Sequence, residues 1–314
     1  MRPTCGDVSG GPVPSDQKGL TRPIPCGAMP DAVEMVIEPR TAQVGDGTVR
    51  RVLPFRRRRM IGPFIFADLI GPEDLQPGTG TNVDAHPHIG LSTLTYLFAG
   101  RMVHRDSTGA VATIEPGAVN WMTAGRGVTH TERSHPDDLP TLRSLHGLQT
   151  WVALPHDRED GEAAFEHTPA DAIDDLDGPA GLRLVAGTGW SLESPVGVSS
   201  PLVLAELRPT ATTSIPVDAT HPERAVLAID GDLRLGGTAL RSGQLAVLEH
   251  GTEPHLSGDG HAVLLGGEPV GERTIWWNFV HSDRARIEQA KADWAQQRFP
   301  TVPHDHEPWV PLPG

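Results

Sequence analysis

The sequence predicts an all-β protein of two antiparallel, jelly-roll-type β-barrels with one short helix near the C-terminus. Glycine (35) and proline (30) make up about a fifth of the 314 residues, which indicates frequent turns and few long helices. Between the turns, β-branched, aromatic and apolar residues form short runs at a spacing typical of sandwiches and barrels. A second block of this kind, residues 182–265, weakly repeats the first, so we predict a duplicated barrel whose second copy is degenerate.

The composition excludes several classes of protein. Acidic residues (40) outnumber Lys and Arg (26), and the net charge of −14 disfavours nucleic-acid binding through a broad basic face. No run approaches the roughly 20 apolar residues of a membrane span, and residues 1–30 lack the apolar region of a secretory signal. Cys5 and Cys26 cannot form a disulfide framework or a Cys-based zinc site. We therefore expect a cytoplasmic protein without nucleic acid or membrane as direct partners.

The chain divides into four predicted segments. Residues 1–32 are rich in Gly, Pro and Ser and are predicted to form a flexible tail. We assign residues 33–160 to the first barrel, residues 161–298 to the second barrel and the helix, and residues 299–314 to an extended tail. The acidic stretch 156–179 has no clean period and is interpreted as the connector between the barrels.

The individual elements follow from local patterns. Strands are predicted at residues 33–37, 92–98, 111–114, 119–122, 148–154, 225–229 and 245–248. The helix is predicted over residues 283–297, where Ile287, Ala290 and Trp294 form an apolar stripe. Ser282 is the expected N-cap, since its hydroxyl can accept a bond from a free backbone N–H.

Two pairs of metal-ligating residues lie in the first predicted barrel. His86 and His88 are two residues apart, as are His130 and Glu132, and side chains at i and i+2 of a strand share one face. Pro87 restricts the backbone between the first two. A lone His-x-His more often marks solvated or hydrogen-bonded histidines, but the second pair favours a metal. Three imidazoles and one carboxylate suit a divalent iron, nickel, copper, manganese or zinc ion.

Longer strings resemble the pirin family of the cupin superfamily. The strings His-Pro-His-Ile-Gly at 86–90 and Asn-Trp-Met-Thr-Ala-Gly-Arg-Gly-Val-Thr-His-Thr-Glu at 120–132 carry the resemblance. Segments 146–152 and 277–280 extend it, so that it covers about residues 35–298. The resemblance implies a bicupin with one mononuclear metal, usually Fe(II), in the first barrel, with Ni, Co, Mn, Cu or Zn as alternatives. The family's four ligand positions correspond to His86, His88, His130 and Glu132.

The resemblance implies two alternative functions. Several bacterial pirins are quercetin 2,3-dioxygenases, so we expect an oxidoreductase that opens the ring of a flavonol or another aromatic enol with O₂. Glu132 is then the candidate catalytic base for the flavonol 3-hydroxyl. Animal pirin is linked to transcription and iron redox sensing, and the alternative is a non-catalytic iron-binding protein that docks on a transcriptional or metabolic partner. The basic run 56–59 is a candidate docking patch for it, although a solvated edge with internal ion pairs is the simpler interpretation.

Several polar residues near the motif have open roles. Ser92 stands where many pirins have a glutamate, and the difference is expected to change the polarity of the pocket. His104 and Asp106 fit either a pocket mouth or the surface of a hairpin. His146 and Gln149 fit either the pocket or structural hydrogen bonds.

Other residues are expected to be structural. Trp121 and Met122 are assigned to barrel packing, although a substrate ring could also lie near them. His221, in the second barrel, has no ligand at i+2, so that barrel is expected to hold no metal and His221 to lie in a solvated turn. His304 and His306 are expected to be adventitious in the tail.

Overall fold

The protein is described by a computed structural model over residues 32–174 and 179–314. Cys5, Cys26 and nearly all of the predicted tail, 1–32, lie outside the described residues. The described chain forms mostly antiparallel sheets arranged as two β-barrels, followed by a short helix, which confirms the predicted fold class. Within this described part, no helix is long and apolar enough to cross a membrane.

The first barrel consists of a large sheet that faces a small one. The large sheet has the spatial order β12 (Ala164–Thr168), β9 (Val119–Thr123), β6 (Leu91–Ala99), β11 (Arg143–Ala153), β4 (Phe64–Leu75), β3 (Gly47–Leu53) and β2 (Arg40–Val44). The small sheet has the order β5 (Val83–His88), β10 (Val128–Ser134), β7 (Met102–Asp106) and β8 (Val111–Ile114). The histidines of both predicted pairs therefore lie on neighbouring strands of the small sheet.

The second barrel is one extensive sheet that curls on itself. Its main order is β1 (Val33–Ile37), β19 (Leu245–Leu248), β17 (Glu223–Leu235), β20 (His255–Gly267), β15 (Leu202–Leu207), β13 (Leu182–Gly189) and β14 (Leu192–Glu193). Two short strands pair at its margin, β16 (Ile215–Pro216) on β20 and β18 (Thr238–Leu240) on β17. The first strand of the described chain thus joins the second barrel, while the domain boundaries given above remain predictions.

The helices and the last hairpin complete the structure. They are a 3₁₀ turn (Pro136–Asp138), α1 (Ala170–Asp174), the hairpin of β21 (Thr274–Trp276) and β22 (Phe279–His281), and α2 (Arg284–Ala295). The predicted stripe of α2 is buried, but its N-cap is Asp283, whose Oδ1 accepts from the N–H of Ala285 at 2.8 Å. Ser282 is not the cap, because its hydroxyl donates to the carboxylate of Glu159. The stretch interpreted as a connector supplies β12 and α1 as well.

Alternation along the strands separates two interiors. Leu94, Tyr96 and Trp121 point from the large sheet into an apolar core shared with the second barrel. The interior of the second barrel is filled by side chains such as Leu233, Leu264 and their neighbours. The opposite face of the large sheet lines a cavity against the histidine-bearing small sheet, and this face positions the candidate site.

Candidate metal centre and its cavity

Three buried imidazoles converge inside the first barrel. His86 and His88 lie on β5 and His130 on the adjacent β10, where the register places His130 directly opposite His86. The side chains are 7%, 1% and 1% exposed, respectively. One ring nitrogen from each lies within 4.8 Å of the other two, so the cluster has the geometry of a metal site. The sequence spacing predicted this convergence.

Backbone carbonyls select the tautomers of two of these histidines. Nδ1 of His86 lies 2.8 Å from the carbonyl oxygen of Asp84, and Nδ1 of His88 lies 3.1 Å from that of Asn278. Because a carbonyl oxygen only accepts, each Nδ1 carries the hydrogen and donates it. Each neutral ring therefore presents a bare Nε2 lone pair to the centre of the cluster.

The electrostatics keep the imidazoles neutral. Burial lowers the pKa of His86 to about 4 and those of His88 and His130 well below the ordinary histidine value. Nε2 of His88 and Nε2 of His130 lie 3.1 Å apart. Neutral, buried nitrogens that share one centre are the donors preferred by divalent transition metals, so the residues present fit such an ion.

Glu132 lies in the wall of the adjacent cavity, outside the group of three histidines that the described residues form. The reason is local. The pairing of β10 with β5 is regular up to His130 and then shifts, so that Glu132 faces Val83. Burial raises the pKa of the Glu132 carboxyl, while the nearby His104 lowers it. Its role as fourth ligand and as base therefore remains a prediction.

The cavity beside the imidazoles has a volume of about 350 Å³, which lies within the usual range of small-molecule sites. Trp151 stacks on Phe66 with the ring centroids 4.0 Å apart and the planes 12° from parallel. The rings of Trp151 and His88 also form a T-shaped contact with their centroids 5.1 Å apart. No sequence pattern predicted this aromatic wall, although Trp151 and Gln149 lie two residues apart on one strand, β11.

The cavity wall also carries polar groups. Arg51 donates two hydrogen bonds of 2.7 Å to the carboxylate of Asp68. Gln149 lines the cavity, which agrees with the pocket role expected as one of its two alternatives. Its Oε1 is buried without a hydrogen-bond partner within the described chain. An unpartnered buried acceptor is costly, so a donor supplied by a ligand would satisfy it.

The other candidates lie elsewhere. Trp121 packs in the core between the barrels, and Met122 packs in a small cluster with Ala124 and Val128. The predicted packing role is therefore confirmed for both, and neither residue lines the cavity beside the imidazoles. Ser92 is fully buried and its hydroxyl lies 3.0 Å from that of Thr123. It is on the face of β6 that also carries Leu94, so Ser92 does not line the cavity.

The remaining histidines also differ from some expectations. His104 is buried beside His130 and is not on a hairpin surface, and the same is true of Asp106. His146 packs on Phe98 away from the cavity, and burial lowers its pKa to about 4. His221 is buried and bonded to the carbonyl of Thr188 at 2.9 Å, so the expectation of a solvated turn was wrong.

The basic run 56–59 is partly paired. Arg58 forms an ion pair of 2.6 Å with Glu34 and lies 3.6 Å from Glu223. Arg56, Arg57 and Arg59 are exposed. This arrangement agrees with the interpretation of a solvated edge containing an internal ion pair.

Comparisons with known proteins decide the family. Residues 47–152 match the family described as Pirin, and residues 202–300 match the Pirin C-terminal cupin domain. The chain belongs to the pirin family. A pirin-like protein of Caulobacter vibrioides is 44% identical over 293 residues, which cover 90% of this chain and 99% of that protein. The two matched segments fall on the two barrels of this pirin, and the first includes every residue of the imidazole cluster.

Two further relatives carry a functional name. A protein of Pseudomonas aeruginosa named "putative quercetin 2,3-dioxygenase" is 39% identical over 264 residues and covers 82% of each chain. The crystal structure of quercetin 2,3-dioxygenase from Acinetobacter baumannii matches this pirin with a TM-score of 0.80 at 32% identity. That match covers 89% of this chain and 95% of the other.

Proposed function

We propose that this pirin is a metal-dependent dioxygenase that opens the ring of flavonols such as quercetin with O₂. The observation that carries the proposal is the convergence of three buried imidazoles beside an aromatic-walled cavity. The names of the relatives from Pseudomonas and Acinetobacter support the same substrate class.

In this proposal His86, His88 and His130 hold one divalent ion, foremost Fe(II), and Glu132 completes the ligand set. A divalent ion bound there supplies a Lewis-acidic, redox-competent position at which the substrate oxygen and O₂ can meet. The protein keeps the ligand nitrogens unprotonated, because burial opposes a charge on each ring.

The side chains of the cavity have separate tasks. Glu132 accepts the proton of the flavonol 3-hydroxyl, because a carboxylate held beside the substrate can take that proton while ligation orients it. The stacked Trp151 and Phe66 offer a flat apolar wall to an aromatic ring. Gln149 Oε1 accepts a hydrogen bond from a further hydroxyl group of the substrate.

Turnover of quercetin by metal-loaded protein tests the proposal. Protein loaded separately with Fe(II), Ni(II), Mn(II), Co(II), Cu(II) or Zn(II) is mixed with quercetin, and O₂ uptake and carbon monoxide release are followed. We expect quercetin and O₂ to disappear in equal amounts with one carbon monoxide released. Metal-loaded protein that leaves a panel of flavonols unchanged would overturn the dioxygenase and favour the metal-binding alternative.

Variants assign the residues. His88→Ala and His130→Ala should each remove most of the bound metal. His221→Ala is the matched control, because it also removes a buried, carbonyl-bonded histidine but from the other barrel. Glu132→Gln should lose far more turnover than metal, since an amide can still ligate weakly but cannot accept the proton. Full metal content in both histidine variants would contradict the ligand assignment.

A further inference from the structure

A second buried pair lies directly behind the third imidazole. His104 and Asp106 are on β7, which borders β10, and Asp106 is opposite His130 in the register. Nε2 of His104 lies 2.9 Å from Oδ2 of Asp106, and Nδ1 of His104 lies 3.5 Å from Nδ1 of His130. His104 and Asp106 are 4% and 0% exposed, and Phe165 stacks on the His104 ring at 4.5 Å. Neither residue lines the cavity.

Asp106, His104 and His130 form a chain of hydrogen bonds, and the partners of Asp106 fix its donor-to-acceptor direction. Oδ1 accepts from the backbone N–H of Thr108 at 2.8 Å, from its hydroxyl at 2.6 Å and from the N–H of Ala110 at 3.3 Å. The other oxygen, Oδ2, faces His104. A carboxylate only accepts, so Nε2 of His104 must carry the hydrogen that it donates to Oδ2.

The position of the hydrogen on His104 determines the position of the hydrogen on His130. A neutral His104 with hydrogen on Nε2 has a lone pair on Nδ1, and this lone pair faces Nδ1 of His130. The favourable partner for it is an N–H, so His130 carries its hydrogen on Nδ1. Its Nε2 is then bare and is directed at Nε2 of His88, 3.1 Å away. The carbonyls of Asp84 and Asn278 give the other two rings the same tautomer.

We propose that Asp106 and His104 are positioning residues that hold His130 in the Nδ1–H tautomer, so that its Nε2 can bind the metal. His86 and His88 obtain this tautomer from fixed backbone carbonyls, whereas His130 obtains it from a side-chain carboxylate through an intervening imidazole. The consequence for metal affinity rests on the proposed function, but the tautomer itself is a property of the metal-free protein.

An isosteric substitution separates this role from a packing role. In Asp106→Asn the three donors of residues 108 and 110 keep the amide oxygen at the Oδ1 position, which turns the NH₂ group towards His104. His104 must then accept at Nε2 and donate from Nδ1, and His130 must accept at Nδ1 and carry its hydrogen on Nε2. The variant keeps the shape of the side chain at residue 106 but exchanges donor and acceptor in both hydrogen bonds that link it to His130 through His104.

The experiment reads the tautomers by imidazole ¹⁵N NMR in metal-free protein at pH 8, and the affinity by titration with Co(II). We expect His130 in the Nδ1–H form in the wild type and in the Nε2–H form in Asp106→Asn, with affinity about 10- to 100-fold lower in the variant. Asp305→Asn is the matched control. It makes the same change at a carboxylate that contacts Arg133 and Thr131 of β10 but no imidazole of the cluster, so tautomer and affinity should not change.

A second variant keeps the test decisive if Asp106→Asn folds poorly. His104→Leu removes the acceptor without reversing it, so His130 should become a mixture of tautomers and lose less affinity than in Asp106→Asn. If the two residues only packed, His104→Leu would lose more metal affinity than Asp106→Asn, because it is the larger change. An Nε2–H form of His130 or a doubly protonated His104 in the wild type would overturn the proposal. A wild type that has the expected tautomer but binds no Co(II) would instead overturn the metal site.

Discussion

Gly90 shows at the scale of one residue how the backbone holds the histidine pair of β5. Its φ is +67°, and a Cβ at this position would lie 1.9 Å from the carbonyl oxygen of Val280. Its N–H donates to Gly125 at 2.8 Å and its carbonyl accepts from Leu154 at 3.0 Å. The close approach brings β22 beside the end of β5, next to the Asn278 carbonyl that orients His88.

We expect Gly90→Ala to destabilise the fold by more than about 1 kcal/mol and to weaken metal binding, since the clash and the left-handed backbone both oppose a side chain. Urea unfolding and Co(II) titration measure the two effects. Gly251→Ala is the control, because Gly251 also has a positive φ of +72° but has no atom within 4 Å of the position that a Cβ would occupy. Equal losses in the two variants would show that backbone strain alone, and not the contact with Val280, is responsible.

Sequence patterns located the strands that carry the imidazole cluster but not the cavity wall. The spacing of His86 and His88 is local, and a period of two was enough to place both on one face. The contact of Phe66 with Trp151 depends on the pairing of β4 with β11, and no spacing within either strand reveals that register. The burial of His104 and Asp106 depends in the same way on the pairing of β7 with β10.

At the scale of elements, the C-terminal segment 299–314 contacts the strand that carries two of the histidines. The N–H of Val310 donates to the carbonyl of Ala85 at 2.9 Å, and Trp294 Nε1 of α2 donates to the carbonyl of Val310 at 2.9 Å. Trp309 packs edge-on against Trp294 at 5.4 Å, and Val310 lines the cavity. The segment therefore connects α2 to the edge of β5.

Deleting residues 307–314 should expose the edge of β5 and lower both thermal stability and metal affinity, because these backbone bonds and the Trp309 contact are lost. Hydrogen exchange of residues 83–88, followed by mass spectrometry, reports the opening directly. Deleting residues 313 and 314 is the control, since both are exposed. Unchanged exchange after the longer deletion would mean that β5 is held by β10 alone.

The elements that sequence analysis missed are those whose stability comes from tertiary contacts. The stretch that contains β12 shows no clean period, yet residues 164–168 pair with β9 along their whole length. The apolar stripe of α2 is a local signal and was found, whereas the choice between two adjacent cap residues was decided by Glu159, which takes the Ser282 hydroxyl. Local propensity sets which segments can form elements, and packing decides among close alternatives.

At the scale of the whole molecule, the two barrels share an apolar core, and a buried ionic cluster lies between strands of both barrels. Glu206 of β15 accepts from the Tyr96 hydroxyl of the first barrel and from Arg208, both at 2.9 Å. Nε2 of His261 lies 2.9 Å from Oε1 of Glu206. Arg183 contacts the same Tyr96 hydroxyl and the carbonyl of Gly117. The cluster thus joins strands of both barrels through one carboxylate.

This carboxylate should make the stability of the molecule depend on pH in the acid range. Burial by itself would raise the pKa of Glu206, but His261, Arg208 and Tyr96 lower it to about 2 from 4.5. A lowered pKa stabilises the folded state fully above pH 4.5, and this stabilisation is lost as the pH falls towards 2. We expect Glu206→Gln to lower the free energy of unfolding by about 2–3 kcal/mol at pH 7 and to make its pH dependence flatter between pH 4.5 and 2.

Urea unfolding at pH 7, 5, 4 and 3 measures the difference from wild type, with Glu193→Gln as the control because Glu193 is exposed. A Glu206→Gln curve parallel to that of the wild type would mean that other groups cause the acid sensitivity and that the cluster joins the barrels through its hydrogen bonds rather than its charge.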